Sequence, residues 1–141
     1  MATLEQKIRA AAAGYAPLAA LIGTGSPVVL RWYDRQLVQG SAYPAVVAMT
    51  ITNPPGYVFT GRLIPSWALC QYTVWGGTGD AGVQSAEAVS AALEDFFDQL
   101  DLVGNGRAIQ QNNLIIANRE AAFVQATTLI YQRVLEVRLL G

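Results

Sequence analysis

Histidine is absent from this sequence of 141 residues, and cysteine occurs once, as Cys70. Without histidine the chain lacks the commonest general base of enzymes and the commonest side-chain ligand of transition metals. Its serines have no imidazole partner, and no G-x-S-x-G segment is present. A single cysteine excludes an internal disulfide and suits a reducing compartment. We therefore expect no catalytic residue, cofactor or metal, and we predict that Cys70 is a buried apolar side chain.

Charged residues are scarce as well. They make up 13% of the chain, whereas about 25% is usual for globular domains. All cations except Lys7 are arginines, and arginine is the cation that protein interfaces favour. Because interface cores are depleted in charge, this composition indicates a surface that contacts other subunits. An ordinary alanine-rich, apolar sequence remains the alternative explanation.

Three further features are missing. The net charge is −1 and no block of basic residues occurs, so the broad electrostatic footprint of a nucleic-acid-binding protein is not visible. No apolar run reaches the roughly 18 residues expected of a membrane span. The first residues include Glu5 and no long apolar segment, unlike a signal peptide. We expect one soluble domain over residues 1–141.

The pattern along the chain predicts an α+β fold, with a mostly antiparallel sheet and a short N-terminal helix and one long helix packed on one of its faces. The predicted helices are 3–13, 16–22 and 81–100. The predicted strands are 45–52, 67–75, 114–118 and 123–137, with a short extended segment at 27–33. Thr3 is the expected cap of the first helix. Residues 57–60 are predicted to begin a returning strand, residues 61–66 fit either a loop or a bulged strand, and residues 76–79 are predicted to be a flexible connector.

Glycines form one literal motif, Gly77–Gly82, which matches G-x-G-x-x-G between a predicted strand and a predicted helix. Such a loop lets the backbone approach a pyrophosphate at a helix N-terminus. Asp80 would place a negative charge where the phosphate lies, and it is better explained as the N-cap of the helix. A nucleotide-binding or small enzymatic domain that uses this loop is therefore kept as an alternative function.

Two groups of residues are candidates for contact with another protein. The long helix carries Glu87, Glu94, Asp95 and Asp98, which indicate a solvated face or an acidic patch that meets arginines of a neighbour. Aromatic residues lie near arginines elsewhere, a mixture typical of single-strand nucleic-acid binders and of protein interfaces; the acidic net charge favours the latter. The predicted interface residues are Arg31, Trp32, Arg35, Arg62, Glu87, Glu94 and Asp98.

A family resemblance runs over nearly the whole chain. The words Leu18–Thr24 (LAALIGT) and Tyr43–Val47 (YPAVV) carry most of it, followed by the aromatic strand Cys70–Trp75, a helix of the form A-x-x-V-x-x-A-L at 86–93 and an alternating strand at 130–139. This succession resembles the tail-completion or tail-terminator proteins of tailed bacteriophages and prophages. The segment 53–66 is longer and richer in proline than this family pattern.

The resemblance implies a structural role without chemistry. Such proteins form a ring, typically a hexamer, at the head-proximal end of the tail tube, where the ring ends tube polymerisation and joins the head connector. The expected partners are further copies of the chain, the tail tube protein and the connector protein, with DNA passing through the lumen and no membrane involved. The expected location is the virion, and the host cytoplasm during assembly. An adaptor domain that dimerises by a sheet edge is the other alternative.

Overall fold

The computed structural model of the protein describes residues 4–37, 42–52, 56–58, 61–63, 67–100, 113–125 and 128–140. In chain order the elements are α1 (Leu4–Ala13), α2 (Ala16–Ile22), β1 (Gly23–Thr24), β2 (Val29–Leu30), β3 (Trp32–Asp34), β4 (Ala45–Thr52), β5 (Gly56–Val58), β6 (Gly61–Leu63), β7 (Trp67–Thr78), α3 (Gly79–Gln99), β8 (Asn113–Gln125) and β9 (Thr128–Leu140). This content confirms the α+β class. Thr3, the expected helix cap, lies outside the described residues.

The first two helices form where the apolar spacing predicts them. Alanine-rich α1 ends before Gly14, and Pro17 lies in the first turn of α2, where a missing N–H costs no hydrogen bond. Ile8 of α1 and Leu18 of α2 are buried, so both helices attach to the core through one apolar side. None of the described helices combines the length and the apolarity needed to cross a bilayer.

The main sheet has five strands in the order β3-β4-β7-β9-β8. β4, β7, β9 and β8 pair antiparallel in succession, and β3 pairs with β4 in parallel. The predicted, mostly antiparallel sheet is thus confirmed, with one parallel pair at an edge. Since β9 lies between β7 and β8 and runs opposite to both, β7 and β8 run in the same direction. Helix α3 therefore connects them as a split β-α-β unit.

The hydrophobic core lies between this sheet and the helices. Every second residue of the central strands points into it, such as Tyr72 and Val74 of β7 and Leu135 of β9. From α3 the buried Phe96 and Phe97 complete it, and the Phe97 ring lies 4.7 Å from that of Tyr72 between centroids. The core supports the prediction that α3 packs on one face of the sheet. Cys70 is also buried there, as predicted.

A small antiparallel pair follows β4. β5 and β6 hydrogen-bond to each other, with Tyr57 opposite Arg62, as a separate two-stranded sheet. The returning strand expected at 57–60 therefore begins at Gly56. For residues 61–66, which fitted either a loop or a bulged strand, the structure shows a strand over the first three residues. Residues 53–55, 59–60 and 64–66 lie outside the described residues.

The final hairpin is divided differently from the prediction, because the expected single strand 123–137 gives residues 123–125 to β8 and residues 128–137 to β9. Residues 119–122 were expected to separate two strands, but they lie inside β8 and pair with β9. Polar residues such as Arg119 and Glu120 are common in loops, which is why the sequence predicted one here. In the hairpin, each of these side chains contacts an oppositely charged side chain on β9. Arg119 pairs with Glu136 and Glu120 with Arg133, both at 3.3 Å. Opposite charges across two strands favour continuous pairing.

The junction of β7 and α3 also differs from prediction. Residues 76–78 belong to β7, and α3 begins at Gly79, so no connector separates the elements. A β-carbon at Gly76 or Gly82 would collide with the backbone of the other element, which explains why glycine is required at this close approach. Asp80 is not the N-cap. Thr78 holds that position, and Asp80 lies in the first turn, where its charge favours the helix dipole.

Candidate assembly surfaces

Arg31, a predicted interface residue, is used inside the chain. Its Nε donates to the carbonyl oxygen of Pro44 at 2.8 Å, and its Nη2 donates to that of Leu21 at 3.0 Å. These bonds join the end of α2 to the start of β4. Because the guanidinium donates to two backbone carbonyls, it stabilises the fold. Removing it would leave both carbonyl oxygens without a donor, which costs free energy.

Trp32 lies in the core rather than on a surface. Its side chain is 1% exposed and meets the ring of Tyr72 edge to face at 5.6 Å. Because side chains alternate along β3, the partly exposed Tyr33 lies on the face of the sheet opposite Trp32. A second subunit cannot reach Trp32 while the core is closed, so we omit it from the proposed interface.

Arg35 and Arg62 occupy different places. Arg35 is exposed, has a φ of 72° and donates its backbone N–H to Ala48 at 2.8 Å. A positive φ in a residue other than glycine marks a sharp change of chain direction at the end of β3. Arg62 lies in β6, and its side chain is outside the described part of the chain. Of the two, Arg35 is the cation that the structure places at the edge of an uncovered sheet face.

The acidic residues of α3 divide into two groups. Glu94 is half-buried and accepts a hydrogen bond from Nδ2 of Asn118 on β8, and the same nitrogen donates to the hydroxyl of buried Ser90 at 2.9 Å. Glu94 therefore helps to hold β8 against α3. Glu87, Asp95 and Asp98 are exposed. These three carboxylates, at helical spacing, lie on the exposed side of α3, and Glu87 also borders the cavity between α3 and the β8–β9 hairpin.

The outer side of α3 forms a continuous stripe, which we name the acidic helix face. Its members are the exposed residues Asp80, Gln84, Glu87, Ala91, Asp95 and Asp98. They recur every three or four positions and so share one side of the helix. No lysine or arginine occurs anywhere in α3. The stripe thus presents negative charge around a small central side chain.

The side of the sheet opposite the helices forms a second surface, which we name the open sheet face. Its position follows from the alternation of the strands, because residues next to core-facing ones point the other way. Its members are Val47, Met49, Ile51, Gln71, Thr73, Trp75, Arg119, Phe123, Gln132, Val134, Glu136 and Arg138. The segment 35–37 extends over part of it and lines a groove of about 480 Å³, and two members beside this groove, Val47 and Val134, are buried.

This face is apolar as well as basic. Met49, Ile51 and Phe123 are exposed by 40%, 44% and 47%, and the Phe123 ring stands edge to face against Trp75 at 5.3 Å. Arg119 and Arg138 add positive charge. Sequence reasoning missed Arg119 because it divided β8 at residues 119–122, and it did not assign Arg138 to an interface although it placed that residue in an alternating strand. A continuous alternation from 113 to 125, matched to that of β9, was the signal that would have found them.

The glycine motif at 77–82 is accounted for by packing. Gly82 lies against the backbone of Gly77, and Gly77 and Gly79 have φ values of 109° and 67° that favour glycine. The strand before the loop pairs antiparallel on both sides, unlike the parallel strands of a dinucleotide-binding fold. These glycines serve the strand-to-helix turn, and no feature of the loop favours a nucleotide.

A cavity of about 380 Å³ lies between the first half of α3 and the β8–β9 hairpin. It is mostly apolar, with Tyr131 and the ion pair of Arg133 and Glu120 on its wall. Arg133 Nε is buried without a hydrogen-bond partner in the described part of the protein. No group of three histidine, cysteine or acidic residues in the described ranges is arranged to hold a metal. The pair is of the kind that fixes the register of two strands.

No protein-family model matches this chain, and no curated protein matches it in sequence. Its fold is similar to that of a chain in a solved structure, the virion of a native gene transfer agent particle. The similarity covers 94% of each chain with a TM-score of 0.53 and 20% sequence identity. At this identity the two chains share a fold.

Proposed function

We propose that this protein is a structural subunit of a phage-like virion, and specifically a tail terminator. In this role it forms a ring, typically of six copies, at the head-proximal end of the tail tube. The ring ends tube polymerisation and joins the tail to the head connector. The observation that carries the proposal is the similarity of fold over 94% of both chains to a component of a gene transfer agent virion. The sequence resemblance to tail-completion proteins independently supports the same role.

The surfaces of the molecule fit assembly. The acidic helix face and the open sheet face lie on opposite sides and differ in charge, as a subunit with two neighbours requires. The low charge content leaves apolar side chains such as Phe123 exposed. In the ring the DNA passes through the lumen, and a net charge of −1 provides no strong non-specific grip on phosphates. The protein works in the virion, after assembly in the host cytoplasm.

The deciding experiment removes the gene from a strain that produces the particles and measures tail length by electron microscopy. A terminator is needed to stop the tube, so we expect tubes of uncontrolled length and heads without tails. Wild-type protein supplied in trans restores a single tail length. Tails of normal length joined to heads in the deletion strain would contradict the proposal, and so would absence of the protein from purified particles.

A matched variant separates this role from the nucleotide-binding alternative. A β-carbon at Gly79 meets nothing within 4 Å, and its φ of 67° is one that asparagine tolerates. Gly79→Asn therefore fills the mouth of the loop with little effect on the fold. We expect this variant to restore tail length as well as wild type does. Failure to restore it, together with nucleotide binding by the wild-type chain alone, would favour the alternative.

A further inference from the structure

The main sheet is covered by helices on one side only within the described part of the chain. Helix α3 packs against β7, β8 and β9, and the core is filled from that side. The open sheet face nevertheless carries large apolar side chains, including Met49, Ile51 and Phe123. Sheets with apolar residues on both faces usually have a layer on each. In this molecule the second layer must come from outside the described residues.

The charged side chains of the open sheet face indicate which kind of surface would cover it. Among the described side chains on and beside the open sheet face, the three cations Arg35, Arg119 and Arg138 outnumber two carboxylates, which are Asp34 next to Arg35 and Glu136 in contact with Arg119. The surface is therefore basic at its margins and apolar between them. Its complement is an acidic helical surface with small apolar residues, because a helix packed on a sheet supplies the ordinary second layer.

The chain itself carries such a surface. The acidic helix face has carboxylates at Glu87, Asp95 and Asp98 and places Ala91 between them, so the backbone of α3 can approach a sheet closely. α3 has 21 residues, a length of about 31 Å at 1.5 Å per residue. Neighbouring strands lie about 4.8 Å apart, so the five strands of the main sheet are roughly 19 Å across. The helix is long enough to cross all five strands of another copy.

We propose that the acidic helix face of one copy docks on the open sheet face of the next, so that each subunit contributes the second layer of its neighbour's sheet. This inference rests on the proposed function and specifies the contact between ring subunits. The two surfaces are different, so the contact is heterologous and each copy uses both. Such contacts build rings where the rotation between subunits closes. Arg119 and Arg138 are the cations of this contact, and Arg31 is not.

The test uses two variants of the full chain with reversed charge. The helix variant carries Glu87→Lys and Asp95→Lys, and the sheet variant carries Arg119→Glu and Arg138→Glu. Lys7→Glu with Arg9→Glu, on the exposed side of α1, changes net charge as the sheet variant does and is the control. Circular dichroism and urea unfolding first establish that each is folded. Sedimentation over a concentration series at low salt then measures self-association.

We expect each reversed variant to lose self-association by about 100-fold or more, because like charges then meet across the contact. An equimolar mixture of the two is expected to assemble, since the basic helix of one variant fits the acidic sheet of the other. The control pair assembles like wild type. Unchanged assembly of either reversed variant, no recovery in the mixture, or a wild-type chain that stays monomeric to about 1 mM would each overturn the proposal.

The deletion strain distinguishes failure of this contact from failure of the function. We expect neither reversed variant alone to restore tail length and expect co-expression of both to restore it. Restoration by either variant alone would overturn this contact while leaving the terminator role in place. If wild-type protein itself restores nothing, the proposed function fails instead.

Discussion

Individual residues of one type have different roles in this molecule, according to burial. Arg31 donates to two backbone carbonyls at the base of the fold, whereas Arg119 lies on an exposed strand with one carboxylate partner. Both are arginines near aromatic residues in sequence, and only the structure separates them. Hydrogen bonds from a charged donor to part-buried carbonyls contribute more to stability than an exposed ion pair.

Replacing Arg31 with methionine, which keeps most of the aliphatic stem, removes both donors. We expect Arg31→Met to lower the free energy of unfolding by about 2–3 kcal/mol, since the carbonyls of Pro44 and Leu21 lose their partner. Urea titration followed by circular dichroism measures the change. Arg119→Met, at a side chain that is 53% exposed, is the control and should change stability by less than about 1 kcal/mol. Equal losses from the two would contradict a structural role for Arg31.

A second residue-scale feature is the polar link between β8 and α3. Asn118 donates to the buried hydroxyl of Ser90 and to Glu94. We expect Ser90→Ala and Asn118→Ala each to cost about 1–2 kcal/mol. In a double-mutant cycle the pair should show a coupling of about 1 kcal/mol, because each substitution removes the same bond. Strictly additive losses in urea unfolding would show that this bond does not stabilise the fold.

At the scale of elements, the direct passage from β7 into α3 depends on glycines that leave no room for a side chain. We expect Gly82→Ala to destabilise the protein by about 1–3 kcal/mol, because the added methyl collides with the backbone of Gly77 and separates helix from sheet. Thermal unfolding measures it. Gly14→Ala, where the new atom meets only the carbonyl oxygen of Ala11 at 3.6 Å, should be nearly neutral. A Gly82 variant as stable as that control would contradict the close packing.

The sequence predicts a helix or strand correctly where a local pattern of residues determines its bounds. Strand 45–52 and helix 16–22 agree residue for residue with prediction, because turn residues and apolar spacing bound them. Prediction failed at 76–78 and 119–125, where pairing with distant strands overrides local polarity or glycine content. The failure at 119–122 concealed Arg119, whereas the exposed carboxylates of α3 followed directly from helical spacing.

At the scale of the whole molecule, one core draws on elements from α1 to β9. Residues as distant as Ile8 and Val137 belong to it, so we expect the chain to unfold in a single transition. Far-UV circular dichroism, tryptophan fluorescence and reaction of the Cys70 thiol with a maleimide should have the same urea midpoint. Cys70 is 1% exposed, so its labelling requires the sheet to open. Separate midpoints would instead show that α1 and α2 come away independently.

The central place of β9 has a consequence for synthesis on the ribosome. β7 pairs with β4, which is made before it, and with β9, which is made more than fifty residues later. Until Leu135 and Val137 have emerged, the apolar side of α3 covers an incomplete sheet, and β8 has no neighbour to pair with. A nascent chain therefore cannot present both finished surfaces. The open sheet face, which β4, β7, β9 and β8 form together, is therefore complete only after the last strand has left the ribosome.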